Sequence, residues 1–233
     1  MRQILEPFQL LRAKTHYRCR RAINRSRAGS LSPELVGTAL AAVVLLGGLL
    51  AAPATAQAQK GELRVLYHGE EIGREVFEIS GTSTELHARG DITYRMGADT
   101  MRQTTDLLLG GDAVPRRYEW KLEEPRQKWL RMQFEGGRAT ISFPRDDGKD
   151  EQQVYDFGGR VALLDINVFH HFLLLARLYD FAKGGPQTVS VFVPQSVQPG
   201  SVTLELEGVE TMTVDAAPQP VRRFSILSED NRL

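Results

Sequence analysis

The sequence predicts a mainly β protein. The expected fold is an antiparallel meander of about ten strands, curled into a barrel-like or half-barrel sheet, with one apolar α-helix packed on or in it. Three observations carry that expectation. From residue 61 onward, short runs alternate apolar and polar residues. Tight turn signals such as Glu135-Gly136-Gly137-Arg138 separate them. One long apolar stretch, LLDINVFHHFLLLARLYD at 163–180, interrupts the alternation.

Taken in order, Leu63, Val65 and Tyr67 share one strand face, with Glu62 and Arg64 on the other. After the turn HGEEIG, Glu75, Phe77 and Ile79 alternate with Val76 and Glu78, and Ser80–Ser83 turns the chain again. Strands follow at 86–94, 101–109 and 114–123, the last two joined by Gly110-Gly111-Asp112-Ala113. Leu130, Met132 and Phe134 then alternate up to the paired-glycine turn, and Ala139, Ile141 and Phe143 continue beyond it. The charged stretch 145–151 reads as a solvated turn rather than a calcium loop, because no glutamate stands at the twelve-residue spacing. Further strands are expected at 154–157, 189–193, 202–206, 212–214 and 221–227. Strands joined by tight turns must run antiparallel. Half-apolar alternation gives each strand one face toward a core and one toward water.

Within 163–180, Ile166, Phe169, Leu173 and Ala176 follow helical spacing, and Val168, Phe172, Leu175 and Tyr179 form an adjacent stripe. Asn167, His170, His171, Leu174 and Arg177 share the remaining side, a narrow polar strip. Asp165 is placed as the N-cap, and Gly184-Gly185-Pro186 as the stop. Adjacent helical residues point about 100° apart, so His170 and His171 do not grip one ion, and no metal site is assigned. The expectation is that one histidine hydrogen-bonds within the core while the other sits at its rim. The alternative is that Asn167, His170 and Arg177 line a polar spot in a cavity.

Residues 1–58 read as a basic region followed by a signal peptide with an apolar core at 35–52. Ala54-Thr55-Ala56 and Ala56-Gln57-Ala58 both fit an A-x-A cleavage site, so cleavage is expected near Ala56 or Ala58. The competing reading is an uncleaved anchor in the inner membrane, which would be the chain's sole link to the membrane. The single cysteine, Cys19, precedes the apolar core, which excludes lipid attachment behind it and leaves the rest of the chain without a disulfide or thiolate site. The chain holds 29 basic and 29 acidic residues. Beyond residue 58 the balance is 21 basic to 27 acidic, about −6, so no nucleic-acid partner is expected. Residues 59–233 are read as a single exported β-rich domain.

No G-x-S-x-G elbow, P-loop or dinucleotide fingerprint occurs, so no catalytic residue and no cofactor is assigned. Ser196, His171 and Asp165 supply the residue types of a triad, which any chain of this length contains.

Two stretches carry a resemblance. RVLYHGEEIGREVFEIS at 64–80, with Tyr67, Gly69, Ile72 and Gly73, resembles the opening hairpin of exported bacterial proteins grouped as domain of unknown function 3108 and relatives. The stretch 161–195, with Asp165, Asn167, His170, His171, Val193, Pro194 and Gln195, is similar to a pattern of the same uncharacterised proteins. The resemblance spans most of 61–227. It implies a periplasmic antiparallel β protein, akin in shape to half-barrels that carry lipoproteins, and no established catalytic role. It also implies a further hairpin after the strand at Arg222–Ile226, so this chain is expected to lack a final C-terminal hairpin and to leave an edge open to pairing.

Two functional expectations result. The first is non-enzymatic binding of a lipid or other apolar or amphiphilic ligand, or of an envelope protein, in the bacterial periplasm. It places a mostly apolar cavity beneath residues 163–180, with Asp165, Asn167, His170, His171, Arg177, Tyr67 and Gln195 as candidate ligand-binding residues. The second is an envelope hydrolase using His170 or His171 as acid/base with a nearby carboxylate at an open cleft.

Overall fold

The computed structural model describes residues 56–124, 127–214 and 217–228. The basic region, the apolar core at 35–52 and Ala54-Thr55 of the expected cleavage sites lie outside the described residues, as does the segment 229–233. Among the described residues, no helix is long and apolar enough to cross a membrane.

The protein is mostly β, with a curled half-barrel sheet and one α-helix. Eight strands form the first sheet in strict sequence order: β1 (Ala56–Tyr67), β2 (Glu70–Gly81), β3 (Glu85–Met96), β4 (Asp99–Gly110), β5 (Pro115–Glu124), β6 (Lys128–Glu135), β7 (Arg138–Pro144) and β8 (Asp150–Asp156). All its neighbours are antiparallel. The second sheet has the order β12-β11-β10-β9, with β9 (Ala162–Leu163), β10 (Gln187–Val193), β11 (Gln198–Val214) and β12 (Ala217–Ser228). The single ten-stranded sheet of the sequence reading thus becomes two sheets. The reason is β9, which pairs with β10 in parallel. A parallel pair requires a crossover, and the apolar segment between the two strands supplies it.

The alternation is realised as expected. Phe77 and Ile79, Leu107, Tyr118 and Trp120, Leu130 and Met132, and Ala139 and Ile141 turn inward and are buried. One face of the half-barrel is therefore apolar. The opposite face carries a charge ladder, in which Glu78, Arg89, Asp106, Glu119 and Arg131 are successive cross-strand neighbours from β2 to β6. Lys60–Glu78 at 3.0 Å and Arg89–Asp106 at 3.1 Å close ion pairs along it. Such exposed pairs add little stability, and their main effect is to keep the face wetted.

The helix is much shorter than its apolar pattern. α1 spans His170–Ala176, and the position before it is Phe169, whose side chain makes no capping bond. Asp165 is not the N-cap, because its carboxylate is committed elsewhere. Asn167, at φ 56°, turns the chain between Asp165 and the helix. At the other end, Asp180 Oδ1 accepts the Ala182 and Lys183 N–H groups, and Asp180 exchanges backbone bonds with the Gln187 side chain. Local bonds of that kind compete with helix propagation. The helix lies between the sheets: Leu174 joins the cluster under the first, Leu175 the cluster under the second.

Among the described residues, β12 pairs with β11 alone. Pro218 and Pro220 sit in its outer half, where they offer no N–H to an added strand.

Candidate functional site

Strand β2 places Glu75 on the same side as Phe77 and Ile79, between Leu63 on β1 and Ile92 on β3. Its carboxylate is fully buried. Oε2 accepts the N–H groups of Phe169 (2.8 Å) and His170 (3.1 Å), and Oε1 faces His170 Nδ1 at 2.5 Å. Glu75 therefore satisfies the first turn of α1 from a distant strand, a task the residue that caps the helix leaves undone. The close approach needs Gly90, since a Cβ there would lie 2.9 Å from both Glu75 Oε1 and His170 Cε1. Gly90→Ala is expected to destabilise the fold by about 1–3 kcal/mol, read as a lowered urea midpoint.

Asp165 is the second hub. Its Oδ2 accepts the Tyr118 hydroxyl at 2.5 Å, and its Oδ1 accepts Ile166 N–H (2.9 Å) and Gln195 N–H (3.1 Å). Its own N–H donates to His171 Nδ1 at 3.2 Å. Burial raises the Asp165 pKa to about 6, against the opposing bonds from Tyr118, Gln195 and Ile166. Tyr118 is pushed well above its ordinary value, first by burial and then by the Asp165 charge. His171 is held well below its ordinary value by burial and by the neighbouring His170, which keeps it neutral.

Three further side chains strap the segment 165–170. Gln103 Nε2 donates to the Asn167 carbonyl (3.0 Å) while its Oε1 accepts Trp120 Nε1–H (3.0 Å). Asn167 Nδ2 donates to the Tyr94 hydroxyl at 3.0 Å, and Gln195 Nε2 donates to the Ile166 carbonyl at 3.0 Å.

The structure brings Asp165, Asn167, His171 and Gln195 into one hydrogen-bond network, which His170 meets through its ring contact with His171. It leaves Tyr67 and Arg177 outside: Tyr67 meets His68 edge-on at the end of β1, and Arg177 donates to Gln59 Oε1 near the surface. Both histidines are 0% exposed, so the expected rim position for one of them is overturned. The polar spot of Asn167, His170 and Arg177 does not form, because each bonds a different partner. Nor, among the described residues, does the expected ligand cavity lie beneath 163–180. The space lined there by Leu86, Leu107, Leu174 and Leu178 measures about 20 Å³, room for one water. The leucines of α1 and the inward strand residues fill it.

Glu75 was missed as the partner of His170, as were Gln103 and Tyr94 as partners of Asn167. A signal existed: Glu75 and Gln103 are polar residues at inward phases of alternating strands.

As chemistry, Glu75 and His170 reproduce the carboxylate–imidazole pair of an acid/base site, but both side chains are fully buried. Ser196 Oγ bonds the Val193 carbonyl, and the Asp165 carboxylate faces Tyr118 rather than a ring nitrogen, so no triad forms. Among the described residues, no group of three or more His, Cys, Asp or Glu side chains could hold a metal.

A ligand-sized concavity lies instead on the polar outer face of β1–β5. It measures about 890 Å³ and is lined by Lys60, Glu78, Arg89, Asp91, Thr104 and Lys121 among others, with Val76 exposed within it. Within its lining, Asp106 takes His87 Nε2 (2.7 Å), Arg89 Nε (3.1 Å) and an Arg117 contact (3.5 Å). Burial alone would raise the Asp106 pKa; the His87 and Arg89 contacts outweigh it, and the pKa is lowered.

No family model matches the chain, and no curated protein matches it. Among solved structures, the chain is similar to a β-barrel-like protein of domain of unknown function DUF1849 from Brucella abortus. The TM-score is 0.44 and the identity 11%, over 74% of this chain and 72% of that chain.

Proposed function

We propose that this chain is a non-enzymatic binding protein of the bacterial periplasm, related to the domain of unknown function 3108 proteins that its two sequence stretches resemble. Its binding face is the charged concavity of β1–β5, and its occupant is an envelope protein or an amphiphilic ligand with a polar head. One observation carries the reading: the interior is filled, with about 20 Å³ beneath the helix, while the outer face offers about 890 Å³. Export is supported by the basic region, the apolar run at 35–52 and the small-residue sites that follow it.

Native mass spectrometry of protein purified from a periplasmic extract tests both halves. The expected species begins near Gln57 or Gln59 and carries a component that a denaturing step releases. The double variant Asp91→Lys, Lys121→Glu reverses two exposed charges of the concavity and is expected to lose that component while keeping its circular dichroism. A component retained by this variant would place binding elsewhere and defeat the proposal.

The hydrolase reading rests on the Glu75–His170 pair alone. It requires α1 to lift away from β2 and β3 so that His170 Nε2 meets solvent. Turnover of ester or amide substrates that disappears in His170→Gln, with the fold retained, would favour it over the binding reading.

A further inference from the structure

We infer that the core contains a binding site for a single water molecule, held jointly by His170 Nε2, His171 Nε2 and Thr105 Oγ1. Each of these side-chain atoms is buried without a hydrogen-bond partner in the protein. Their residues are 0%, 0% and 4% exposed. A buried polar atom left without a partner is costly, so three such atoms close together call for a shared partner.

The strand register puts them in one place. The two rings meet edge to face with centroids 4.8 Å apart. The His170 ring descends onto Gly90 of β3, and the His171 ring lies 5.7 Å from Tyr118 of β5. Strand β4 runs between these two strands. On it, Thr105 is the cross-strand partner of Gly90, and Leu107 that of Tyr118. Thr105 is buried at an inward position of β4, directly opposite the glycine that the His170 ring approaches.

The polarity of the three atoms selects the occupant. His171 Nδ1 accepts the Asp165 N–H, so in the neutral ring the proton sits on Nε2. Oε2 of Glu75 already accepts two backbone N–H groups, and His170 Nδ1 faces Oε1 as its donor, so in the neutral ring the lone pair of His170 lies on Nε2. The site thus presents one donor, one acceptor and one hydroxyl. A water accepts from His171, donates to His170 and donates to Thr105, giving the three bonds usual for an internal water. A metal ion does not fit, because the protonated Nε2 of His171 has no lone pair to give. The bound water links Glu75, His170 and His171 to the Asp165 backbone, so that β2, β4 and the loop before α1 share one hydrogen-bond chain.

Histidine-selective ¹⁵N labelling of the whole protein tests this in solution. Long-range ¹H–¹⁵N correlation is expected to show His170 protonated at Nδ1 and His171 at Nε2. A water-selective NOE is expected at the His171 Nε2 proton. Thr105→Val, which keeps the side-chain shape, is expected to lose that NOE while both tautomers persist. The wild-type spectra decide the matter if Thr105→Val does not fold. A proton on His170 Nε2, a direct coupling between the two rings without a water NOE, or an undiminished NOE in Thr105→Val would each overturn the site.

Discussion

Glu75→Ala is expected to lower folding stability by about 3–5 kcal/mol, measured by urea unfolding at pH 7 with the two tryptophans as probes. The substitution strips the acceptor from Phe169 N–H, His170 N–H and His170 Nδ1 together, all inside the core. The loss is local in origin, so amide exchange should accelerate first in α1 and in the strap before it. Glu75→Gln separates charge from shape. Its carbonyl oxygen still accepts the two backbone N–H groups, while its amide nitrogen faces His170 Nδ1 as a donor. The expected result is a loss of only about 1–2 kcal/mol, together with a flip of His170 to the Nε2-protonated tautomer. If alanine and glutamine cost the same, Glu75 contributes by packing rather than by holding the helix start.

Asp165 gives the second large effect, and it carries a pH signature. Asp165→Ala leaves Ile166 N–H, Gln195 N–H and the Tyr118 hydroxyl without their acceptor and should cost about 3–5 kcal/mol. Asp165→Asn keeps an acceptor for the backbone groups and removes the charge, so it should stay within about 1–2 kcal/mol of wild type at pH 7. The raised pKa, about 6 against about 3.9 in the unfolded chain, means that folding favours the protonated carboxyl. Its stabilising contribution is fully present below about pH 4 and is lost as the pH rises through about 6, a span of about 3 kcal/mol. His171 acts oppositely. Its pKa is lowered on folding, so stability is lost as the pH falls below the unfolded value of about 6.5. In wild type the two partly cancel between pH 4 and 6. Asp165→Asn removes one arm, so its urea midpoint should fall more steeply on acidification than that of wild type. Parallel pH profiles for the two proteins would contradict the assignment.

Both effects concern residues that the sequence exposes to different degrees. Asp165 stands beside the paired histidines in an unusual apolar stretch and was legible as part of a site, though in the wrong role. Glu75 was visible only as a strand residue of the inward phase. Its partner lies 95 residues away, and no local pattern ties a carboxylate on β2 to the first turn of a distant helix. The same holds for Gln103 and the Asn167 carbonyl, 64 residues apart. The misplaced histidine followed from treating 166–183 as one helix. The rim position disappears once Asn167 takes a positive φ and α1 begins only at His170.

Strand phase, turn positions and the curled antiparallel meander were determined by the sequence alone, because alternation and turn chemistry act between residues a few positions apart. So was the inward burial of the apolar positions in β1–β7. Tertiary structure alone decided the split into two sheets, the parallel β9–β10 pair, the shortening of the helix and the filling of the expected cavity. These depend on which distant surfaces meet. Where a buried carboxylate can satisfy several backbone N–H groups at once, the hydrogen-bond balance of the whole core outweighs the helical preference of one apolar run.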